Sequence, residues 1–256
     1  MQIGAQYYTI RAYTQNELDF ARSCEAVAKI GYKNVQLSAI GPIEPKKVKQ
    51  ICDDNGLKIV LTHNSEAKFM ATEALIEEHQ IYGCKYVGLG AMADRYRNGV
   101  WVENFARDFE GPARKLADAG MKMMYHNHHF EFVHLPEGGT LMDKLLGLMP
   151  AELMGVTADT YWLQYAGVDA CDWLDKHADR LGCIHLKDLI PAPVGNGYEI
   201  HMAAVGEGNI NFPAILDLVS KNGVTEYALV EQDNCYGDYS MDCLKRSFDN
   251  LTKMGY

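Results

Sequence analysis

Short β-rich runs alternate with helical-period segments from one end of this sequence to the other, and that alternation leaves few folds open. The runs are Ile3–Ile10, Asn34–Ala39, Lys58–His63, Tyr86–Ala91, Lys122–His128, Met154–Tyr161, Cys183–Asp188 and Tyr227–Asp233. Ile59-Val60-Leu61 and Ala228-Leu229-Val230 are continuous apolar stretches, the pattern of parallel strands buried on both faces. Eight strands in 256 residues leave about 32 residues per βα unit, the density of a single-domain (β/α)8 TIM barrel spanning 1–256.

Helix signals fall between the runs. Thr14-Gln15-Asn16-Glu17 has capping-box spacing ahead of Leu18, Ala21, Cys24 and Ala28, and Gly31 follows as a stop. Pro45 opens a segment with Val48, Ile51 and Cys52 on one face, closed by Gly56. Met241, Leu244, Phe248, Leu251 and Met254 form a last apolar stripe at helical period. The one irregular stretch, Leu189–Asn211, reads as a long loop over the C-terminal face of the barrel, where such loops are usually functional.

Charge and cysteine content narrow the function classes. A net charge of −10 repels phosphate backbones, so the expected partner is a small molecule and not a nucleic acid. Seven cysteines at 24, 52, 84, 171, 183, 235 and 243, with no C-x-x-C, read as reduced thiols of a cytoplasmic protein. No basic-then-apolar leader and no membrane-length apolar run is visible, so no membrane association is expected.

The chemistry concentrates at the strand ends of the second half. Tyr125-His126-Asn127-His128-His129-Phe130-Glu131-Phe132, Thr157-Ala158-Asp159-Thr160-Tyr161-Trp162, Ile184-His185-Leu186-Lys187-Asp188 and Val230-Glu231-Gln232-Asp233 each carry residues able to ligate a metal. Three carboxylates and one imidazole make a mainly oxygen site, suited to Mn2+, Mg2+ or Co2+ ahead of structural zinc. Gly88-Leu89-Gly90-Ala91-Met92-Ala93 matches a dinucleotide fingerprint, but Asp94-Arg95-Tyr96-Arg97-Asn98-Gly99 begins no apolar-periodic helix. Without a helix N-terminus there is no anion cradle, so no dinucleotide is expected.

Five motifs in this order, YHNHHFEF (125–132), ADTYW (158–162), IHLKD (184–188), VGEGNINF (205–212) and VEQD (230–233), resemble the xylose-isomerase-like TIM-barrel superfamily. Within it they look most like the sugar phosphate isomerase/epimerase branch that includes inosose dehydratases. The resemblance implies one divalent ion, Mn2+ first, with Mg2+, Co2+ or Zn2+ as alternatives, held by Glu131, Asp159, His185 and Glu231. Glu131 is preferred as the only carboxylate in its segment; His126, deeper in the same strand, is the alternative first ligand. Glu131 and Glu231 would then exchange the substrate proton, with Lys187 neutralising an enolate or acting as an acid. His63, His126, His128 and Trp162 are the expected substrate contacts.

The expected activity is a metal-dependent isomerase or epimerase acting on a sugar or sugar derivative through an enediolate, since a divalent ion that polarises a carbonyl acidifies the neighbouring C–H. Trp162 stands where related sugar epimerases often place a histidine, and HLKD resembles the dehydratase side, so a lyase acting on a keto-sugar or keto-inositol is the alternative. A multi-zinc DNA-repair endonuclease is disfavoured by the acidic charge. A non-catalytic sugar-binding barrel is the remaining reading. A homo-oligomer is expected from relatives, with no interface legible in the chain.

Overall fold

The computed structural model describes residues 1–256. Ten strands are present: β1 (Gln2–Gln6), β2 (Asn34–Leu37), β3 (Lys58–Asn64), β4 (Tyr86–Leu89), β5 (Lys122–His126), β6 (Met154–Asp159), β7 (Cys183–Leu186), β8 (Asp188–Val194), β9 (Gly197–Ala203) and β10 (Tyr227–Val230). Eight of them close a parallel barrel in the order β1-β2-β3-β4-β5-β6-β7-β10, with β10 pairing back onto β1. All eight expected strands form, but all except β3, which runs one residue further to Asn64, end earlier than the apolar runs. Tyr7–Tyr13 is a 3-10 turn where a strand continuation was expected, and Thr160–Tyr165 is a helix.

Local chemistry accounts for the helix boundaries. Glu17–Ile30 is capped by Asn16, whose side chain accepts from Asp19 N at 3.0 Å; Thr14 instead donates to the Arg11 carbonyl. The expected capping box therefore shifts by two residues, with Asn16 meeting the orphan N–H. Pro45 does occupy the first turn of Pro45–Asp54. Gly31 closes the first helix at φ 126°, and a Cβ there would lie 2.5 Å from the Phe248 ring. That position needs glycine on both counts.

Sixty buried apolar residues fill the layer between barrel and helices. A separate cluster, Val60, Leu61, Tyr86, Met124, Cys183, Tyr227 and Leu229, fills the barrel interior toward the strand starts. The floor of the barrel is thus packed with apolar side chains, and polar groups are left to the strand ends. No helix is long and apolar enough to cross a membrane.

The expected loop 189–211 is largely β8 and β9, an antiparallel hairpin registered from Asp188↔Ala203 to Val194↔Gly197. Its strands carry few core-facing positions, which is why composition alone reads as a loop. Asp188 fixes its base: the carboxylate accepts backbone N–H groups of Leu189 (2.8 Å), Gly206 (2.9 Å), Gly208 (2.8 Å) and Ile210 (3.2 Å). A Cβ on Gly208 would approach Asp188 Oδ1 to 2.4 Å. The GEG turn is therefore a cradle for a buried carboxylate.

Candidate active site

Four strand ends converge at the top of the barrel. His126 ends β5, Asp159 ends β6, His185 lies within β7 and Glu231 follows β10. All four are buried, and one ligand atom from each lies within 4.8 Å of the others. His126 Nε2 is 3.2 Å from Asp159 Oδ2, and His185 Nδ1 is 2.9 Å from Glu231 Oε2.

The protonation of the two imidazoles is set from behind. His126 Nδ1 lies 3.0 Å from the Gly90 carbonyl, an acceptor only, so Nδ1 holds the proton and Nε2 presents a lone pair inward. His185 Nε2 lies 2.7 Å from Gln36 Oε1, which leaves its Nδ1 lone pair facing Glu231 and Asp159. Gln6 Nε2 donates to Glu231 Oε1 at 2.8 Å, and Asp159 N donates to Asn127 Oδ1 at 2.9 Å. Hydrogen bonds of this kind orient metal ligands and fix their tautomers.

Lone pairs then point at carboxylate oxygens across the centre. His185 Nδ1 and Glu231 Oε2, though close, lack a well-directed hydrogen bond. Two imidazole nitrogens and two carboxylate oxygens converge within 4.8 Å of one another, a donor set able to hold a divalent cation; burial opposes protonation of His185, but Glu231 and Asp159 outweigh it and raise its pKa. The donor set is richer in nitrogen than expected, which suits Mn2+, Co2+, Fe2+ or Zn2+ better than Mg2+.

A cavity of about 290 Å3 opens over the cluster, lined by Tyr8, Ser38, His63, Asn64, Gly90, Ala91, His126, His128, Lys187, Glu231 and Asp233. Lys187, almost wholly buried, places Nζ 3.0 Å from Asp159 Oδ2, 3.0 Å from Glu231 Oε2 and 3.1 Å from Asp233. Burial opposes its charge, yet the three carboxylates outweigh that and hold its pKa well above the usual lysine value. Burial likewise opposes ionisation of Asp159 and Glu231, but the Lys187 ammonium above all keeps both well below the carboxylate range. Asp233 goes the other way, pushed up to about 6 by burial and by the Glu231 charge. One ammonium among three carboxylates leaves an excess of negative charge for a cation to balance.

Two free histidine nitrogens also face this space. Burial holds His63 neutral, well below its ordinary pKa, and lowers His128 to about 3. His63 Nε2 and His128 Nδ1 have no hydrogen-bond partner. The His63 ring stands 4.9 Å from His126 and 5.3 Å from His185. Gly88 and Gly90 make room for it: a Cβ on Gly90 would meet His63 Nδ1 at 3.3 Å. The GxG after β4 is thus a packing device, followed by the short turn Asp94–Tyr96 and by a helix only at Val102.

Three of the four expected ligands, Asp159, His185 and Glu231, are brought together; Glu131 is not, and His126 takes the fourth place. Glu131 is fully buried in the turn Phe130–Phe132, where its carboxylate accepts from Tyr125 Oη at 2.6 Å and His128 N at 2.9 Å. Tyr125 and His126 alternate across β5, so the group that pairs with Tyr125 sits on the helix side of the strand. Glu131 lines no part of the cavity, and the expected proton exchange between Glu131 and Glu231 has no geometry to support it. Of the expected substrate contacts His63, His126 and His128 reach the cavity wall. Trp162 packs beside it, with ring centroids 5.3 Å from His128 and 5.1 Å from His129, and Lys187 Nζ 5.6 Å from its ring. Gln36, Asn64 and Ser38 gave no sequence signal, and Asp233 was visible only as the last residue of VEQD. The VEQD spacing alone placed Asp233 beside Glu231.

A family model described as xylose isomerase-like TIM barrel matches residues 24–247. An inosose dehydratase of Lacticaseibacillus casei is 21% identical over 251 residues, covering 85% of this chain and 83% of the relative. A sugar phosphate isomerase/epimerase of Parabacteroides distasonis superposes with a TM-score of 0.83 at 20% identity, covering 98% of this chain and 93% of that one. The probable 3-DHS dehydratase AsbF of Bacillus anthracis superposes with a TM-score of 0.74 at 15% identity, covering 98% and 99%.

Proposed function

We propose that this chain, a member of the xylose isomerase-like TIM barrel family, is a metal-dependent enzyme that removes the proton next to the carbonyl of a sugar-like substrate. The observation that carries this reading is the buried quartet His126, Asp159, His185 and Glu231, with both imidazole lone pairs turned inward. When bound, a divalent ion there supplies Lewis acidity to a carbonyl and an adjacent hydroxyl.

The remaining work falls to groups of the chain. Lys187 carries a proton at Nζ and is placed to donate it to oxygen. Asp233, with its pKa raised to about 6 by burial and the Glu231 charge and a carboxylate on the cavity wall, is placed to accept one from carbon. His63 Nε2 and His128 Nδ1 supply neutral hydrogen-bonding groups for substrate hydroxyls. The packed barrel floor excludes water from below.

Between epimerisation and elimination, the placement of Glu131 favours elimination. An epimerase that exchanges a proton between two faces needs two proton-transfer groups on opposite sides. Here Glu131 is withdrawn, while Lys187 and Asp233 touch at 3.1 Å and therefore serve one side. Proton removal and leaving-group protonation from one side suit loss of water or alcohol from a keto-sugar or keto-inositol. The dehydratase names of the sequence relatives support the same reading.

The test is incubation of Mn2+-reconstituted protein with a panel of keto-sugars and keto-inositols in D2O. Metal-dependent C–H exchange accompanied by an unsaturated or dehydrated product is expected. A deuterated epimer with no eliminated group would replace elimination by epimerisation. Absence of exchange with every divalent ion would remove the enzymatic reading.

A further inference from the structure

The cavity above the metal-ligating quartet does not end at His63. A second one, of about 200 Å3, adjoins it over the ends of β2 and β3, and Ser38, His63 and Asn64 line both. At about 290 Å3 the first falls just under the roughly 300–1,000 Å3 of clefts that enclose a whole ligand; the two together lie within that range. Ala39 holds φ 52° at the rim of the second, a left-handed conformation that few residues other than glycine adopt.

The polarity of the shared wall is fixed from behind by a directed chain of hydrogen bonds. His79, fully buried in the helix Thr72–Tyr82, has Nδ1 2.8 Å from the Leu75 carbonyl, an acceptor only, so Nδ1 carries the proton. Burial keeps the ring neutral, and its Nε2 therefore accepts from the Thr62 hydroxyl at 2.7 Å. With its own proton committed, Thr62 Oγ1 accepts from Asn64 Nδ2 at 2.7 Å, and the Gly88 carbonyl takes the second Nδ2 proton at 3.3 Å. The amide cannot turn over without setting Oδ1 against the Gly88 carbonyl and a hydroxyl oxygen that has no proton left. No group of the protein donates to Asn64 Oδ1, so the wall between the cavities presents a fixed acceptor. Such an atom takes a hydroxyl donor and repels a phosphate oxygen.

The second cavity also carries no spare positive charge. Lys68 Nζ is held by both Glu78 carboxylate oxygens, at 2.8 and 2.9 Å, and Glu78 accepts in addition from Tyr82 Oη at 3.0 Å. Lys187, the other lysine of the two walls, is enclosed by three carboxylates.

We propose that the second cavity is a substrate subsite for a neutral, hydroxyl-bearing ring joined to the reacting sugar and read by the Asn64 Oδ1 acceptor, which makes the substrate a keto-disaccharide and not a sugar phosphate. This substrate class presupposes the sugar-acting reading of the quartet and extends it.

Three ketoses that differ only in the group at O6 test the subsite: fructose, its 6-phosphate and isomaltulose, which carries a glucosyl group there. In calorimetric titrations of the Mn2+-loaded chain, isomaltulose should bind about two- to tenfold tighter than fructose, the worth of one net hydrogen bond. Fructose 6-phosphate should bind no tighter than fructose. Ile40→Trp, at a position that lines only the second cavity, should remove the isomaltulose advantage and leave ion content and fructose affinity unchanged. Glu78→Gln frees the Lys68 charge and should raise fructose 6-phosphate affinity several-fold. Equal affinities for fructose and isomaltulose, undetectable binding of both included, or a preference of the wild type for the phosphate would overturn the subsite. Ion content and C–H exchange in D2O, read on the same samples, separate the two readings. Isomaltulose preference with no retained ion overturns the metal reading and leaves the subsite, whereas retained ion and exchange without that preference do the reverse.

Discussion

The two halves of the barrel contribute different things to its mouth. Strands β1 to β4 send neutral groups, Gln6, Gln36, His63, Asn64 and the Gly90 carbonyl, while β5, β6, β7 and β10 send His126, Asp159, His185, Lys187, Glu231 and Asp233. The first half holds and orients; the second half carries the charge and the lone pairs. In the proposed metal site the second group would hold the cation and the first would orient its ligands, because a misplaced tautomer at His126 or His185 would present N–H to the ion in place of a lone pair.

That division is open to direct attack. The largest effect belongs to the charged half: Asp159→Ala or His126→Ala should abolish stoichiometric metal retention, a loss of at least about a hundredfold in affinity by analogy with ligand-shell losses. Elemental analysis after Mn2+ loading and desalting reads it. A wild-type-like ion content in His126→Ala would instead return the first ligand position to another residue. Next in size, Gln36→Leu and Gln6→Leu should keep the fold and weaken metal affinity by about 10- to 100-fold. Equal affinity in both would erase the distinction between holding and binding strands.

Glu131→Gln separates position from chemistry. Since the Glu131 carboxylate faces Tyr125 and not the quartet, ion content should stay at the wild-type level. Its effect should appear in stability against pH. Burial raises Glu131 from its ordinary 4.5 to about 7, so the folded chain keeps a proton that the unfolded chain releases across that window. Its contribution to stability is full below about 4.5, falls as pH rises through 7 and is flat beyond. Urea melts at pH 5 and pH 8 should show a smaller difference for Glu131→Gln than for wild type. The smallest effect is His63→Ala, expected to leave metal affinity within about twofold and to act on substrate KM, because His63 touches the rings of two proposed ligands but is not one.

Much of this was legible in the chain. All eight barrel strands lie where their apolar runs do, and Asp159, His185 and Glu231 announced themselves as charged residues directly after buried strands, where only a partner makes burial tolerable. The misplacement of the first ligand has a physical cause. Residue type favoured the lone carboxylate Glu131, whereas β5 ends at His126 and the following turn carries Glu131 to the helix side, beside Tyr125. Charge is visible in a sequence; the offset at which a chain leaves a strand is not. An amide such as Gln36 carries no signal either, since its role exists only once barrel closure brings β2 within reach of β7.

The sequence by itself determined the barrel, because strand and helix periodicities and their capping residues are local and repeat along the chain. It also determined that the second half would be acidic and histidine-rich at its strand ends. The tertiary structure alone decided which four side chains meet, which way the imidazoles present their lone pairs, and that 189–211 folds as a hairpin cradled by Asp188. The first two outcomes rest on contacts such as those of His185 with Asp159, 26 positions away, and with Gln36, 149 positions away, and only closure of the barrel brings such partners together.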